Sequence, residues 1–165
     1  MHTAIWGTTR TGKSSLAKEM ARVYQSMGIK VLVHDPVFDS TWPADFKTDN
    51  FELFLEVYWE SEGCMCFFDE AYKSCFHKND AAIATATMGR HRGHINHYIA
   101  HRPTMIDVTI REQCTKMFLF RIGKKDAKLV AEDWSEDVLL RCNEFKQGQY
   151  FEVEKMGEVH ERRLF

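Results

Sequence analysis

Apolar residues fall in short blocks along this chain, and the blocks alternate between two spacings. Ala4-Ile5-Trp6, Lys30-Val31-Leu32-Val33-His34, Cys64-Met65-Cys66-Phe67-Phe68, Tyr98-Ile99-Ala100 and Met117-Phe118-Leu119-Phe120 are short, mostly apolar runs. Runs of this kind predict strands buried on both faces, the habit of parallel sheets. Between them, apolar residues recur every three or four positions. Leu16, Met20, Val23, Tyr24 and Met27 form one helical stripe, which Gly28 stops. Phe51, Phe54, Leu55, Tyr58 and Trp59 form a second, with Asp49 or Asn50 as its cap and Gly63 at its end. An alanine-rich helix capped by Asn79 or Asp80 runs to about Gly89 or Arg92, and a helix or turn is expected around Ile106 to Cys114.

Residues 36–50 carry Pro36, Pro43 and several aspartates and predict a loop, in which Trp42 and Phe38 have no obvious place. Lys124 to Phe145 has a helical pattern in two pieces. The tail, with Tyr150 to Val153, Met156-Gly157 and Val159, predicts a β-hairpin. Strands alternating with helices imply one α/β domain over 1–165 with a mainly parallel sheet. Its ligands are expected at the carboxyl ends of the strands.

The chemistry-bearing residues fall at those ends. The first strand leads into Gly7-Thr8-Thr9-Arg10-Thr11-Gly12-Lys13-Ser14-Ser15, a G-x-x-x-x-G-K-S phosphate-binding loop between a strand and a helix. Gly7 and Gly12 permit backbone angles that turn the intervening amides inward around phosphate oxygens. Lys13 is expected at the β- and γ-phosphates of ATP and Ser14 on Mg²⁺, with the helix N-terminus adding its positive end. The third apolar run ends in Asp69-Glu70. This pair divides into Asp69 as a holder of Mg²⁺, through water, and Glu70 as the polariser of attacking water. Asp35, after the second strand, either sits near that water or caps a turn.

Composition narrows the class. The chain has 165 residues, 44% hydrophobic and 28% charged, an ordinary globular balance. No run approaches the ~20 apolar residues of a membrane span. The phosphate loop begins almost at Met1, so no signal peptide is expected. Five scattered cysteines predict reduced thiols and a cytoplasmic setting, in a host cell or virion. A net charge of −2 leaves any nucleic-acid contact to a local patch. Arg90-His91-Arg92-Gly93-His94, continued by His97, His101 and Arg102, is the visible basic segment. Zinc is the alternative use of its histidines, but Gly93 and the strand at 98–100 break the helix face that would gather them.

The order of these motifs resembles the HerA–FtsK superfamily of DNA-pumping ATPases. The succession is the phosphate loop, Asp35-Pro36, Asp69-Glu70, Arg90-His91-Arg92-Gly93, Arg102-Pro103 and then Phe118-Leu119-Phe120-Arg121. Within that superfamily it resembles the genome-packaging ATPases of membrane-containing viruses and the assembly ATPases of filamentous phages. The resemblance spans residues 3–122. It implies a RecA-like (ASCE) P-loop NTPase with strand order 5-1-4-3-2. It also implies a homo-oligomeric ring, expected as a hexamer, with ATP between subunits. A capsid or membrane-vertex protein is an implied partner. His101 stands where relatives carry a γ-phosphate-sensing Gln. Placement favours Arg90 or Arg92 as an arginine finger acting in trans, ahead of Arg102 and Arg111.

Three activities fit these residues. The first is an ATP-hydrolysing DNA translocase or packaging motor. The second is an ATPase that drives phage or secretion-complex assembly without pumping DNA. The third is a small-molecule or nucleotide kinase, against which stand Glu70 and the lack of an Arg-rich lid.

Overall fold

A computed structural model describes residues 1–165. The chain forms β1 (His2–Trp6), α1 (Lys13–Ser26), β2 (Val31–His34), β3 (Phe46–Thr48), α2 (Phe51–Glu60), β4 (Met65–Phe68), α3 (Asp80–Met88), β5 (Ile95–Ala100), α4 (Val108–Glu112), β6 (Cys114–Leu119), α5 (Lys124–Trp134), β7 (Gln149–Glu154) and β8 (Val159–Arg163). A 3-10 segment over Asp137–Glu144 follows α5, so the helical stretch after residue 124 is indeed in two pieces.

All eight strands join one sheet in the order β3-β2-β4-β5-β1-β6-β7-β8. This differs from the expected five-strand order in what is added at each edge. Phe46–Thr48, within the segment anticipated as loop, pairs parallel with Leu32–His34. Only one of its three residues is a large apolar one, so the edge strand leaves no hydrophobic pattern to detect. At the other edge β7 and β8 continue the sheet antiparallel as the C-terminal hairpin. Between these additions the five anticipated strands stand in the succession 5-1-4-3-2 when counted in their original numbering. The six strands from β3 to β6 are parallel.

Alternation along the strands divides the core in two. Ala4, Trp6, Phe68, Tyr98, Met117 and Leu119 face the layer of α2, α3, α4 and α5, against Phe54, Tyr58, Ala82, Ile110 and Val130. Ile5, Phe67, Ile99, Phe118 and Phe120 face α1, against Leu16, Ala17 and Ala21, and Trp42 also belongs to this side. The buried stripe of α1 is therefore rotated from the expected one. Its alanines lie against the sheet, while Val23 and Met27 are exposed. Asn50 rather than Asp49 caps α2, accepting from Leu53 N, and Asn79 caps α3, accepting from Ala82 N. No helix is long and apolar enough to cross a membrane. All five cysteines are free and buried. Burial pushes the Cys75 and Cys114 thiols up to about 12, which keeps them protonated and unreactive.

The histidines do not gather. His94 is buried, accepting from Cys64 N at Nδ1 and placing Nε2 2.8 Å from the Tyr58 carbonyl. His97 is buried and stacked on Phe67 at 4.3 Å between centroids. His91 is exposed, and His101 lies at the far end of β5. A strand rises ~3.3 Å per residue, so β5 separates the ends of this segment by roughly 20 Å. It is neither one basic patch nor a ligand cluster.

His2 and His97 are pulled down to about 4, in each case chiefly by burial. The folded chain keeps them neutral where an unfolded histidine, near 6.5, takes up a proton. Their contribution to stability is thus complete above pH 6.5 and is lost as pH falls toward 4. The loss is about 1.4 kcal/mol per pH unit for each histidine. Urea denaturation at pH 7 and pH 5 should show a clear fall in midpoint, and His97→Phe should flatten that dependence in part, since burial lowers His34 and His94 as well. An unchanged midpoint would refute the neutral assignment.

Candidate functional site

Parallel alignment brings the ends of four strands to one edge: Gly7 after β1, Asp35 after β2, Asp69-Glu70 after β4 and His101 after β5. The loop from Gly7 to Gly12 is pinned from both neighbouring strands. Gly7 N donates to Ala100 O and Thr8 N to Arg121 O. Thr11 Oγ1 closes the turn on Thr8 O at 2.8 Å. Two glycines are required by space. A Cβ at Gly7 would lie 2.6 Å from Phe120 Cβ, and Gly12 has φ +115° with a Cβ position 2.8 Å from Leu164 Cδ1. The first turn of α1 carries no acidic residue, so the positive end of the helix faces the loop uncompensated.

Lys13 is 7% exposed, and its ammonium donates to Thr8 O at 3.0 Å and meets His101 Nδ1 at 3.5 Å. Burial lowers its proton affinity, and the Glu70 and Asp69 carboxylates work against that. His101 reaches the other way as well: its Nε2 lies 3.2 Å from Glu70 Oε2. The angle is not that of a hydrogen bond, and Glu70 Oε2 is buried with no hydrogen-bond partner. The backbone of Glu70 is left-handed, with φ 44°. Lys13, Glu70 and His101 thus meet, as their sequence positions predicted. An unpartnered carboxylate oxygen beside a buried cation is an arrangement that a bound polar group completes.

Asp69 is 8% exposed and its carboxyl is pushed up, first by burial and against the hydrogen bonds it accepts. Those come from Trp42 Nε1 on Oδ2 at 3.0 Å and from Glu70 N on Oδ1 at 2.9 Å. Ser14 is exposed on the first turn of α1. Hydroxyl and carboxylate oxygens are the hard donors Mg²⁺ takes, and each Asp69 oxygen keeps a free lone pair. Asp35 is the turn cap: its oxygens accept from Val37 N and Asp39 N.

The arginines lie elsewhere. Arg90 and Arg92 are at the amino end of β5, on the opposite edge of the sheet from the loop. Arg92 donates to Glu62 Oε1 and to Trp59 O, whereas Arg90 is exposed. Arg102 is paired with buried Asp126, and Arg111 with Asp133. Neither Arg102 nor Arg111, each held by its aspartate, joins the Lys13–Glu70–His101 cluster.

Sequence patterns missed the wall opposite the loop. A cleft of about 590 Å³ runs between Thr8–Thr11 and residues Arg121, Lys124, Asn143, Lys146 and Gln147. Four cations line it, with Arg10 the fourth, and no carboxylate. Gly148 N donates to Thr11 O, and Gln147 and Phe165 border Gly12 to Ser15. The segment after residue 123 therefore belongs to the site. The only hint in the sequence was its basic residues.

The fold is α/β with a mostly parallel sheet, similar to that of P-loop NTPases. No protein-family profile and no curated protein sequence matches the chain. Solved structures do. The genome-packaging NTPase B204 of Sulfolobus turreted icosahedral virus 2, in complex with AMPPCP, is similar at TM-score 0.85 and 15% identity. That likeness covers 99% of this chain and 97% of B204. VirB4 of Thermoanaerobacter pseudethanolicus is similar at TM-score 0.75 and 12% identity, covering 99% and 89%. The N-terminal domain of the zonular occludens toxin of Neisseria meningitidis is similar at 0.60 and 13%, covering 99% and 93%. The chain thus shares the fold of these proteins, and the likeness extends past residue 122 to nearly the whole chain.

Gly12→Ala tests the loop. A left-handed φ costs a side-chained residue roughly 1–2 kcal/mol, and the contact with Leu164 adds to it. A fluorescent ATP analogue should bind at least about tenfold more weakly than to the native chain; equal affinity would place the phosphates elsewhere.

Proposed function

We propose that this chain is an ATPase whose turnover drives movement of duplex DNA, acting as one subunit of a homo-oligomeric ring. The observation that carries the hydrolytic part is the meeting of Lys13, Glu70 and His101, with Glu70 Oε2 buried and unpartnered. The similar fold of the genome-packaging NTPase B204 supports the motor part.

In this reading the amides from Thr9 to Ser15 and the helix N-terminus receive the β- and γ-phosphates. Lys13 transfers its hydrogen bonds from Thr8 O and His101 to phosphate oxygens. Ser14 and Asp69 would hold Mg²⁺, which would supply charge neutralisation for the phosphate oxygens. Glu70 orients the attacking water and draws its proton. His101, freed from Lys13, donates to the γ-phosphate. The cationic cleft at Arg121, Lys124, Asn143, Lys146 and Gln147 takes the nucleoside side of ATP. The finger comes from a neighbouring subunit, and Arg90, exposed and without the ties that hold Arg92, is the better placed of the two.

Steady-state ATP hydrolysis, with and without duplex DNA and alongside mass by light scattering, tests the whole reading. A ring-sized species stimulated by DNA is the expected result. A DNA-insensitive ring indicates an assembly ATPase, and phosphate transfer to a small acceptor indicates a kinase. Lys13→Ala should abolish turnover. Glu70→Gln should keep ATP affinity while lowering kcat at least about 100-fold; near-native kcat would remove Glu70 from the water-orienting role.

A further inference from the structure

Trp42 lies in the loop between β2 and β3, where neither periodicity nor motif gave it a task. It is 5% exposed, with its ring 5.3 Å from that of Phe67. Packing alone would be served by phenylalanine. An indole adds one N–H donor, which needs a partner when buried. That partner is Asp69 Oδ2, at 3.0 Å. It is the one side-chain donor on this carboxylate; the other hydrogen bond is local, from Glu70 N to Oδ1.

The loop that presents the indole is itself fixed. Asp35 accepts from Val37 N and Asp39 N. Asp39 pairs with Lys18, whose ammonium also reaches Thr41 Oγ1 at 2.7 Å and lies 5.7 Å from the Trp42 ring centroid. Lys47 Nζ donates to Asp39 O at 2.6 Å. Lys18 stands just over one turn into α1, the helix that starts at the phosphate loop. The indole is therefore braced by the helix that carries Lys13 and Ser14, and it grips the acid at the end of β4.

We propose that Trp42 is a positioning residue for Mg·ATP: its indole N–H holds the Asp69 carboxylate in the one orientation in which it serves the metal ion. This rests on the reading of Ser14 and Asp69 as the Mg²⁺ side of the site. A short acid at a strand end has two free side-chain torsions, and ordering them in advance lowers the cost of binding the cation. Trp42 acts through Asp69, the group its indole N–H meets.

The test separates this role from packing. Trp42→Phe keeps a ring against Phe67 and removes the donor. Binding of a fluorescent ATP analogue is measured in EDTA and across a Mg²⁺ titration, with thermal melting as the control. Affinity in EDTA should stay within about twofold of the native chain. The gain in affinity that Mg²⁺ confers should shrink about tenfold, the loss expected for one hydrogen bond to a charged group. An unchanged Mg²⁺ gain overturns the proposal. Benzothienylalanine at position 42, with sulfur in place of N–H, preserves the shape should Trp42→Phe fold poorly. It should show the same loss, and native Mg²⁺ dependence there overturns the proposal whatever Trp42→Phe does. In an Asp69→Asn background, Trp42→Phe should remove nothing further from the Mg²⁺ gain; additive losses overturn it. A native chain that binds no nucleotide, or binds it without regard to Mg²⁺, overturns the ATPase reading itself and this inference with it.

Discussion

The constraint on which the rest depends is the burial of one ammonium group, that of Lys13. A cation taken out of water is costly unless neighbouring groups replace its hydration. Here those groups come from separate segments: Thr8 O from the loop after β1, the Asp69 and Glu70 charges after β4, and His101 after β5. They converge only because β4, β5 and β1 are adjacent and parallel. A register slip in any of these strands would carry one partner away and leave the charge uncompensated. Sheet order and site electrostatics are thus one requirement.

The same requirement explains why the chain does not end its work at β6. The loop around Lys13 has its outer face supported by the C-terminal segment. Gly148 N holds Thr11 O, while Leu164 fills the space beside Gly12. The hairpin of β7 and β8 completes the sheet edge next to β6, and the residues leading into it line the cationic cleft. A segment with no recognisable motif forms half of the site by packing against the half that has one.

Some of this was legible in the linear chain. Short apolar runs separated by helical stripes specify a parallel α/β sheet, because only strands covered on both faces dispense with polar alternation. The glycine spacing from Gly7 to Gly12 predicts a tight strand-to-helix turn, and the structure needs both glycines there, Gly7 for its close approach to Phe120 and Gly12 for its φ of +115°. Asp69-Glu70 and His101 could be placed at strand ends for the same local reason. Other elements were not legible. β3 has three residues and one large apolar side chain, so its pairing with β2 comes from the sheet edge rather than from its own pattern. The stripe of α1 was misjudged because Ala17 and Ala21, weak hydrophobic signals, are what close packing against the sheet selects. The basic segment from Arg90 to Arg102 looked continuous, yet β5 buries its middle and sends its ends to opposite edges.

By itself, then, the sequence determined what depends on neighbours within a few residues: the strand and helix succession, the glycine-flanked turn between β1 and α1, and the acidic pair and histidine that follow two strands. Only the tertiary structure decided what depends on distant segments meeting. Trp42 grips Asp69 across 27 positions, Lys13 meets His101 across 88, and Gly148 supports Thr11 from the far end of the chain. Such contacts follow from the order of strands in the sheet, and that order is set by burial of both faces together rather than by any single stretch of residues.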